Sequence, residues 1–577
     1  MVRTGTLRQS ELRQALKPSR AALLGVGLFS GVLNILTLTG SVFMLQVYDR
    51  VIPSRSVPTL VGLALLVAGL FLMQGLLDLI RSRMLGRVAG LLHERLSNRV
   101  VGIALSLPLV RSDMDAQQPM RDLDQVRSFL SSGGPLALFD LPWLPFYLAI
   151  CFLFHPLIGW TALGGALVLV TLMLLTELLS RRAAKETMQV AGTRHSLVEA
   201  GRRNAEVVSA MGMAPAVAAQ WHEADQQFMT SQQRLADVSG GFGAMSKVLR
   251  MALQSAVLGV GALLVIWAEA TGGVIIAASI ISARALAPVE LAIAHWKGFI
   301  AARQSWRRLG ELLAAMPARG DPLPLRKPVS TLFVQGVSIT PPGNPRLLVR
   351  DVTFQLKSGM GLGIVGPSGS GKSCLARALV GAWAPVRGKV RLDAAALDQW
   401  LPEMLGRHIG YLPQDVELFA GTVAQNIARF RQGDDPDLVI QAATLAGVHD
   451  LILSLPQGYE TPIGERGTAL SAGQRQRLGL ARALYADPFL VVLDEPNSNL
   501  DADGEQGLIQ ALLSVRARGG IAVVVAHRPS VMAALDQALI MAGGEMKAFG
   551  AKDEVLRDKV RSMAAVSTMR TAVGGAA

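Results

Sequence analysis

Six apolar stretches, at about residues 21–47, 57–80, 135–154, 157–179, 245–268 and 272–294, constrain this 577-residue chain more than anything else in it. Each is long enough to cross a hydrocarbon layer of about 30 Å, and there a lone segment must satisfy its own backbone polar groups, so helices are expected. The turns joining the first and second, third and fourth, and fifth and sixth stretches are short: Tyr48 to Ser56, His155-Pro156, and Glu269 to Gly273. The other two gaps are long and basic, with Arg81, Arg83, Arg87, Arg95, Arg99 and Arg111 in one and Arg181, Arg182, Lys185, Arg194, Arg202 and Arg203 in the other. Arginine is enriched in cytoplasmic loops, which places both gaps and both termini in the cytoplasm; Arg50 and Arg55, in the first outer turn, are outnumbered. Val88, Leu91, Leu92 and Leu96 recur at helical spacing, so the spans are expected to continue as helices well beyond the bilayer.

Composition agrees with a membrane part. The chain is 51% hydrophobic with a mean hydropathy of +0.38, more apolar than an ordinary soluble enzyme. Its net charge of +13 could serve nucleic acid, but beside six spans it reads as basic cytoplasmic loops, and no nucleic-acid partner is expected. Arg3, Arg8, Arg13, Lys17 and Arg20 precede the first apolar run, which is too long for a signal peptide and is followed by another span. Cys151 and Cys374 offer no disulfide framework and read as small packing residues. Of the charges in or near the spans, Asp78 and Glu177 sit towards cytoplasmic ends, Glu177 one turn from Arg181. All of these and Asp140 could face a polar pathway, and for Arg284, deeper in the sixth span, a cavity-facing and a structural role are equally open.

From Met316 to Pro328 the composition shifts to Pro317, Gly320, Pro322, Pro324 and Pro328, a linker signal. The expected organisation is a cytoplasmic segment 1–20, an all-α six-span domain 21–315, a linker 316–329, an α/β domain 330–555 and a tail 556–577. In the α/β part, Gly361 to Val365 reads as a short buried strand, Leu375 to Val380 as the opening of a helix, and between them runs Gly366-Pro367-Ser368-Gly369-Ser370-Gly371-Lys372-Ser373. This is the spacing and context of a phosphate-binding loop: backbone N–H groups curl around a β-phosphate where side chains must be absent, and the helix N-terminus adds positive potential. Lys372 is expected on the β and γ phosphates, Ser373 on Mg²⁺, and the backbone through Cys374 completes the nucleotide contacts.

Phe489 to Leu493 is a continuous apolar run, expected as a buried parallel strand, and it ends in Asp494-Glu495. Asp494 is expected to hold Mg²⁺ through water, and Glu495 to act as general base or to orient the water that attacks the γ-phosphate.

Further motifs resemble those of ATP-binding cassette transporters. Leu470-Ser471-Ala472-Gly473-Gln474 resembles their signature sequence, Gln414 their glutamine loop, Asn499-Leu500-Asp501 the loop after the acidic strand, and His527 their switch histidine. Thr461 to Gly467 resembles the segment that exporters place against membrane-domain loops. The resemblance covers essentially the whole chain and implies that Ser471, Ala472, Gly473 and Gln474 bind the γ-phosphate of ATP held by a second copy, hence a homodimer with two shared sites. It further implies that His527 contacts the γ-phosphate and bridges to Glu495, and that Gln414 senses Mg²⁺ and the attacking water. Two departures stand out: Ala472 replaces a more usual glycine, and the place of the adenine-stacking aromatic falls near Pro341.

Met44 to Arg55, Phe139 to Pro145 and Leu493 to Asp501 are similar to one subgroup, the type I secretion permease/ATPases that lack an N-terminal peptidase-like domain. The resemblance implies an inner-membrane protein that hydrolyses ATP and exports an unfolded protein with a C-terminal signal, such as a repeat-in-toxin protease, toxin, lipase or surface-layer protein. A periplasmic adaptor and an outer-membrane channel are the implied partners. Residues 105–115 and 205–222, including Met211, Gly212, Met213 and Trp221, are candidate coupling segments. The alternative is a half-exporter of lipid, peptide or small molecule, which the same cassette would serve.

Overall fold

The computed structural model describes residues 11–111, 114–317, 325–431, 433, 435–464, 467–526 and 528–557, apart from the side chains of residues 181, 182 and 239. The chain forms two compact units, residues 1–105 with 116–317, and residues 106–115 with 318–577.

The first unit is all α. Six helical segments are long and apolar enough to span a membrane: Glu11–Ser54, Val57–Val110, Gly133–Phe154, Pro156–Arg203, Ala214–Ile266 and Gly272–Ala294. The second, fourth and fifth run for 54, 48 and 53 residues, about 70–80 Å each at 1.5 Å per residue, so they extend far past the bilayer as the spacing predicts. The first is not one rod: Arg20–Leu36 gives way at Thr37-Leu38 to Thr39–Gln46 and then to a π-helical turn, Val47–Val51. The third breaks into Gly133–Asp140, a 3₁₀ turn Leu141–Trp143 and Leu144–Phe154, because Pro142 and Pro145 each remove a backbone donor from the ladder.

Part of the unit's buried polarity lies near these breaks. Arg81, 7% exposed, donates to Ser30 Oγ at 2.8 Å, to Asp140 Oδ1 at 2.8 Å and to Asp78 Oδ1 at 2.9 Å. Asn34 Nδ2 donates to the same Asp140 oxygen at 3.0 Å, and Tyr147 Oη donates to Asn34 at 2.9 Å. Three spans are thereby joined by a network in which each charge has a partner, the condition for burying ions cheaply. Glu177 accepts from Trp296 Nε1 at 2.8 Å and lies 3.6 Å from Arg303, a tertiary pairing; the Arg181 side chain, its expected partner, is outside the described set. Arg284 is exposed on its helix, and among the described residues no hydrogen bond or ion pair reaches it. Cys151 is buried in the apolar cluster of these spans.

The second unit holds a ten-stranded sheet in the order β5-β4-β1-β2-β10-β9-β3-β8-β7-β6. In chain order the strands are β1 Thr331–Ile339, β2 Val349–Lys357, β3 Gly361–Val365, β4 Arg387–Leu392, β5 Ala395–Ala396, β6 Ile409–Leu412, β7 Leu490–Asp494, β8 Ile521–Val525, β9 Gln537–Ala542 and β10 Glu545–Ala551. β6, β7, β8, β3 and β9 are mutually parallel, whereas β1, β2, β4 and β5 pair antiparallel at one edge. Every residue of β7 and β8 is buried, which is why both read as unbroken apolar runs rather than alternating ones. Ligands of such sheets sit beyond the carboxyl ends of the parallel strands, and the phosphate-loop, acidic and glutamine motifs leave β3, β7 and β6 from those ends.

Candidate nucleotide-binding and hydrolysis site

The loop after β3 turns into the helix Lys372–Leu379 through two glycines in the left-handed region, Gly369 at φ 77° and Gly371 at φ 92°. Close approach demands a third: a Cβ on Gly366 would lie 2.2 Å from the Met541 carbonyl oxygen. Lys372 is buried, and its Nζ spans the loop, donating to the carbonyls of Gly366 at 3.0 Å and Pro367 at 2.9 Å. The ammonium is thus tethered inside the curl that the glycines create. Cys374 packs partly buried against the core; burial pushes its thiol pKa up, which keeps it a neutral packing group.

Asp494 ends β7, and its Oδ1 accepts from Ser373 Oγ at 3.1 Å, joining the two motifs. Burial raises the pKa of its carboxyl, and the neighbouring charge of Glu495 adds to the rise, against the Ser373 hydrogen bond. Its second oxygen, Oδ2, is buried without a hydrogen-bond partner among the described residues. Arg377 offsets part of that burden: its guanidinium charge favours the ionised carboxylate and also acts on the half-buried phenol of Tyr411.

The chain leaves β7 sharply. Glu495 has φ 51°, a left-handed conformation that a non-glycine residue adopts at a cost of about 1–3 kcal/mol. Its N–H donates to the Val525 carbonyl at 3.1 Å, holding the turn against β8. Gln414, two residues beyond β6, donates from Nε2 to Glu495 Oε2 at 3.1 Å. Two hydrogen bonds, Ser373–Asp494 and Gln414–Glu495, therefore meet at adjacent residues. His527 lies outside the described residues, as do Glu465 and Arg466 of the Thr461–Gly467 segment.

The signature residues build a helix start. Ser471 is the N-cap of Ala472–Leu484: its Oγ accepts from the Gln474 N–H at 3.2 Å, and Gln474 Oε1 accepts from the Ser471 N–H at 2.8 Å. This reciprocal pair is the capping box. Ala472, as the first helical residue, makes no cap contact that glycine would improve. Gly473 admits the Asn499 carbonyl oxygen, which a Cβ there would meet at 2.8 Å.

One residue that sequence reasoning did not single out lies in the same helix. Gln476 is 2% exposed; its Nε2 donates to the carbonyl of Glu495 at 3.2 Å and its Oε1 accepts from the Asn499 N–H at 3.1 Å. The turn that carries Glu495 is thus held by the signature helix. The only sequence trace of this was a glutamine on an otherwise apolar face. Arg477 reaches Asp501, which caps the helix Ala502–Ala517 by accepting from the Gly504 N–H at 2.9 Å; that bond, and Arg477 after it, hold the Asp501 carboxyl below its ordinary pKa.

Comparison with known proteins agrees with this geometry. Residues 349–498 match the ABC transporter family and residues 23–288 the ABC transporter transmembrane region. The type I secretion system ATP-binding protein PrsD of Rhizobium meliloti (strain 1021) is 56% identical over 555 residues, 96% of this chain and 95% of that protein. The leukotoxin translocation ATP-binding protein LktB of Mannheimia glucosida is 28% identical over 91% of this chain and 75% of its own length. The cyclolysin secretion/processing ATP-binding protein CyaB of Bordetella pertussis (strain ATCC 9797 / DSM 5571 / CCUG 30873 / LMG 14455 / NCTC 10739 / 18323) is 29% identical over 92% and 75%. Among solved structures, a bacterial Atm1-family ABC exporter with ATP bound superposes with a TM-score of 0.79 at 20% identity, covering 94% of this chain and 96% of that one, a likeness of fold. The chain is a multi-pass membrane protein, a translocase whose cassette binds and hydrolyses ATP, and it belongs to the ABC transporter family, among its type I secretion ATP-binding proteins.

Proposed function

We propose that two copies of this chain form an inner-membrane homodimer that hydrolyses Mg²⁺-ATP and exports an unfolded protein bearing a C-terminal signal. A repeat-in-toxin protease, toxin, lipase or surface-layer protein is the expected class of cargo. A periplasmic adaptor and an outer-membrane channel would complete the conduit, with the cassette and both termini in the cytoplasm. The likeness to PrsD over 96% of the chain supports the secretion reading, and the arginine-rich gaps support the orientation. The exposed turn at Met211 and Met213, between the helices Ala205–Ala210 and Ala214–Ile266, supports residues 205–222 as a coupling segment, with 105–115 as the second.

The observation that carries the chemistry is the pair of hydrogen bonds Ser373–Asp494 and Gln414–Glu495, on adjacent acids at the carboxyl ends of β3, β7 and β6. The orphaned Asp494 Oδ2 beside the Ser373 hydroxyl fits a hard divalent cation, which takes one or two protein oxygens and completes its octahedron with phosphate and water. When bound, Mg²⁺ supplies charge neutralisation across the β and γ phosphates. Ser373 and Asp494 would hold it, with Gln414 at its edge. Lys372 and the N–H groups of Gly366 and of residues 368–374 bind and orient the phosphates. Glu495 takes the proton of the attacking water; its carboxylate is presented by the left-handed turn and steadied by Gln414. His527 is assigned to the γ-phosphate by its motif alone. The second half of each site, Ser471 to Gln474, comes from the other copy, because a capped helix N-terminus offers donors to an anion and each chain has a single phosphate loop.

The test is Glu495→Gln in the full-length transporter reconstituted in proteoliposomes. ATP binding persists and turnover falls by about 10²–10⁴-fold; wild-type turnover in this variant would refute the base assignment. Copurification of an adaptor, or stimulation of the ATPase by a C-terminal peptide of a candidate cargo, separates protein secretion from simple ATPase activity.

A further inference from the structure

Arg429 sits just past the short helix Val423–Ile427, at φ 58°, followed by Phe430 at φ 54°. Two consecutive non-glycine residues in the left-handed region are unusual, and they persist only where the surroundings dictate them. Here the guanidinium supplies the reason. All five of its N–H groups donate to backbone carbonyls: Nε to Arg482 at 2.9 Å, Nη1 to Gly406 at 2.6 Å and Ile409 at 3.1 Å, Nη2 to Ala483 at 3.1 Å and Tyr485 at 3.5 Å. Among the described residues no carboxylate lies within ion-pair distance of it. The acceptors fall in two groups. Arg482, Ala483 and Tyr485 end the signature helix, where carbonyls have no intrahelical donors and the helix dipole favours a cation. Gly406 and Ile409 lie at the entry of β6, the strand that delivers Gln414 to Glu495.

The seam between these elements is tight elsewhere too. A Cβ on Gly410 would lie 2.0 Å from the Ala483 carbonyl oxygen, and one on Gly479 would lie 2.8 Å from Leu412 and 2.7 Å from Val416. We propose that Arg429 is a positioning residue for ATP hydrolysis: it fuses the C-terminal end of the signature helix to the root of the glutamine-loop strand. Movement of Ser471 on a γ-phosphate in one site is then transmitted to Gln414 in the site of its own chain. This rests on the roles proposed above for Ser471 and Gln414, and it makes the two shared sites of a dimer communicate through a rigid lever inside each cassette.

The test measures ATPase rate against ATP concentration in the full-length transporter in proteoliposomes, with activity normalised to folded dimer. Wild type must first show a Hill coefficient above 1; a value of 1 defeats the shared-site reading and, with it, this proposal. Arg429→Lys keeps the charge but offers one nitrogen instead of a fork. Its kcat is expected to fall about 10-fold with the Hill coefficient approaching 1, while KM for ATP changes less than about 2-fold, since the phosphate loop is untouched. Arg516→Met is the control: Arg516 also binds backbone carbonyls, those of Gly359 and Ala534, but far from the seam, and it should lower Tm with the Hill coefficient intact. If Arg429→Lys does not accumulate as folded dimer, Gly479→Ala pushes the helix off Leu412 and Val416 without touching the guanidinium, and must show the same split at smaller amplitude. Unchanged kcat and Hill coefficient in a folded variant of either kind overturns the proposal.

Discussion

Each unit sets an arginine inside it, Arg81 buried and Arg429 half-buried, and they neutralise it in opposite ways. In the membrane-spanning unit Arg81 is answered by side chains, the carboxylates of Asp140 and Asp78 and the hydroxyl of Ser30. In the cassette, among the described residues, Arg429 is answered only by backbone carbonyls. The difference follows from what each environment leaves over. Helices in hydrocarbon satisfy their carbonyls internally, so a buried cation there needs a paired anion. The α/β cassette has many helix ends and strand entries, whose spare carbonyls can share one charge. The lesson is that a side-chain pair can be removed as a unit, whereas a backbone clamp cannot be relieved by changing its acceptors.

That contrast yields graded tests. Arg81→Met leaves the half-buried Asp140 without its cation and is expected to cost about 2–3 kcal/mol, below the roughly 3–5 kcal/mol of a fully buried pair, read as a lowered Tm of the detergent-solubilised protein. The double variant Arg81→Met with Asp140→Asn should recover most of the loss; no recovery would mean that packing, not charge, holds the three spans. A smaller effect is expected at the outer turn. Asp49, brought round by the π-helical turn, accepts from the Gly273 N–H at 3.0 Å and from Thr271 Oγ1 at 2.8 Å, capping the sixth span from 224 residues away. Asp49→Ala should cost about 1 kcal/mol, as lost caps do, and Asp49→Asn should restore part of it.

The smallest effect tests a buried carboxylate that has no full set of partners. The folded pKa of Asp494 is raised, so the stability it contributes is present below the ordinary carboxylate pKa and is lost as pH rises through the raised one. Asp494→Asn should therefore raise the nucleotide-free Tm at neutral pH by about a degree or two, a gain that disappears on acidification. In wild type, added Mg²⁺ and ATP should stabilise the protein, and in Asp494→Asn they should do so far less. A variant that loses stability at neutral pH would show that Asp494 is fully satisfied without a cation.

Some of this was legible in the residues because the physics that places them is local. A phosphate loop needs glycines at fixed offsets between a strand and a helix, and a buried parallel strand needs an unbroken apolar run, so Gly366 to Ser373 and Phe489 to Glu495 announce themselves. The six spans do likewise, since hydrocarbon thickness sets their length. The cysteines fall in this class as well: both are packed against apolar clusters.

Other features had no local signature. Glu177 holds Trp296 and Arg303, more than a hundred residues away, and nothing near it in sequence points to either. Gln476 and Arg429 act on carbonyl oxygens, and a carbonyl looks the same in every residue, so no pattern of side chains could have named their partners. The chain by itself determined where helices must span, where a nucleotide's phosphates can be cradled and which acids end a buried strand, because those depend on a few consecutive residues. Only the tertiary structure decided that the signature helix grips the turn bearing Glu495 at one end and is clamped to the glutamine-loop strand at the other, because that depends on which unpaired backbone groups folding brings within reach.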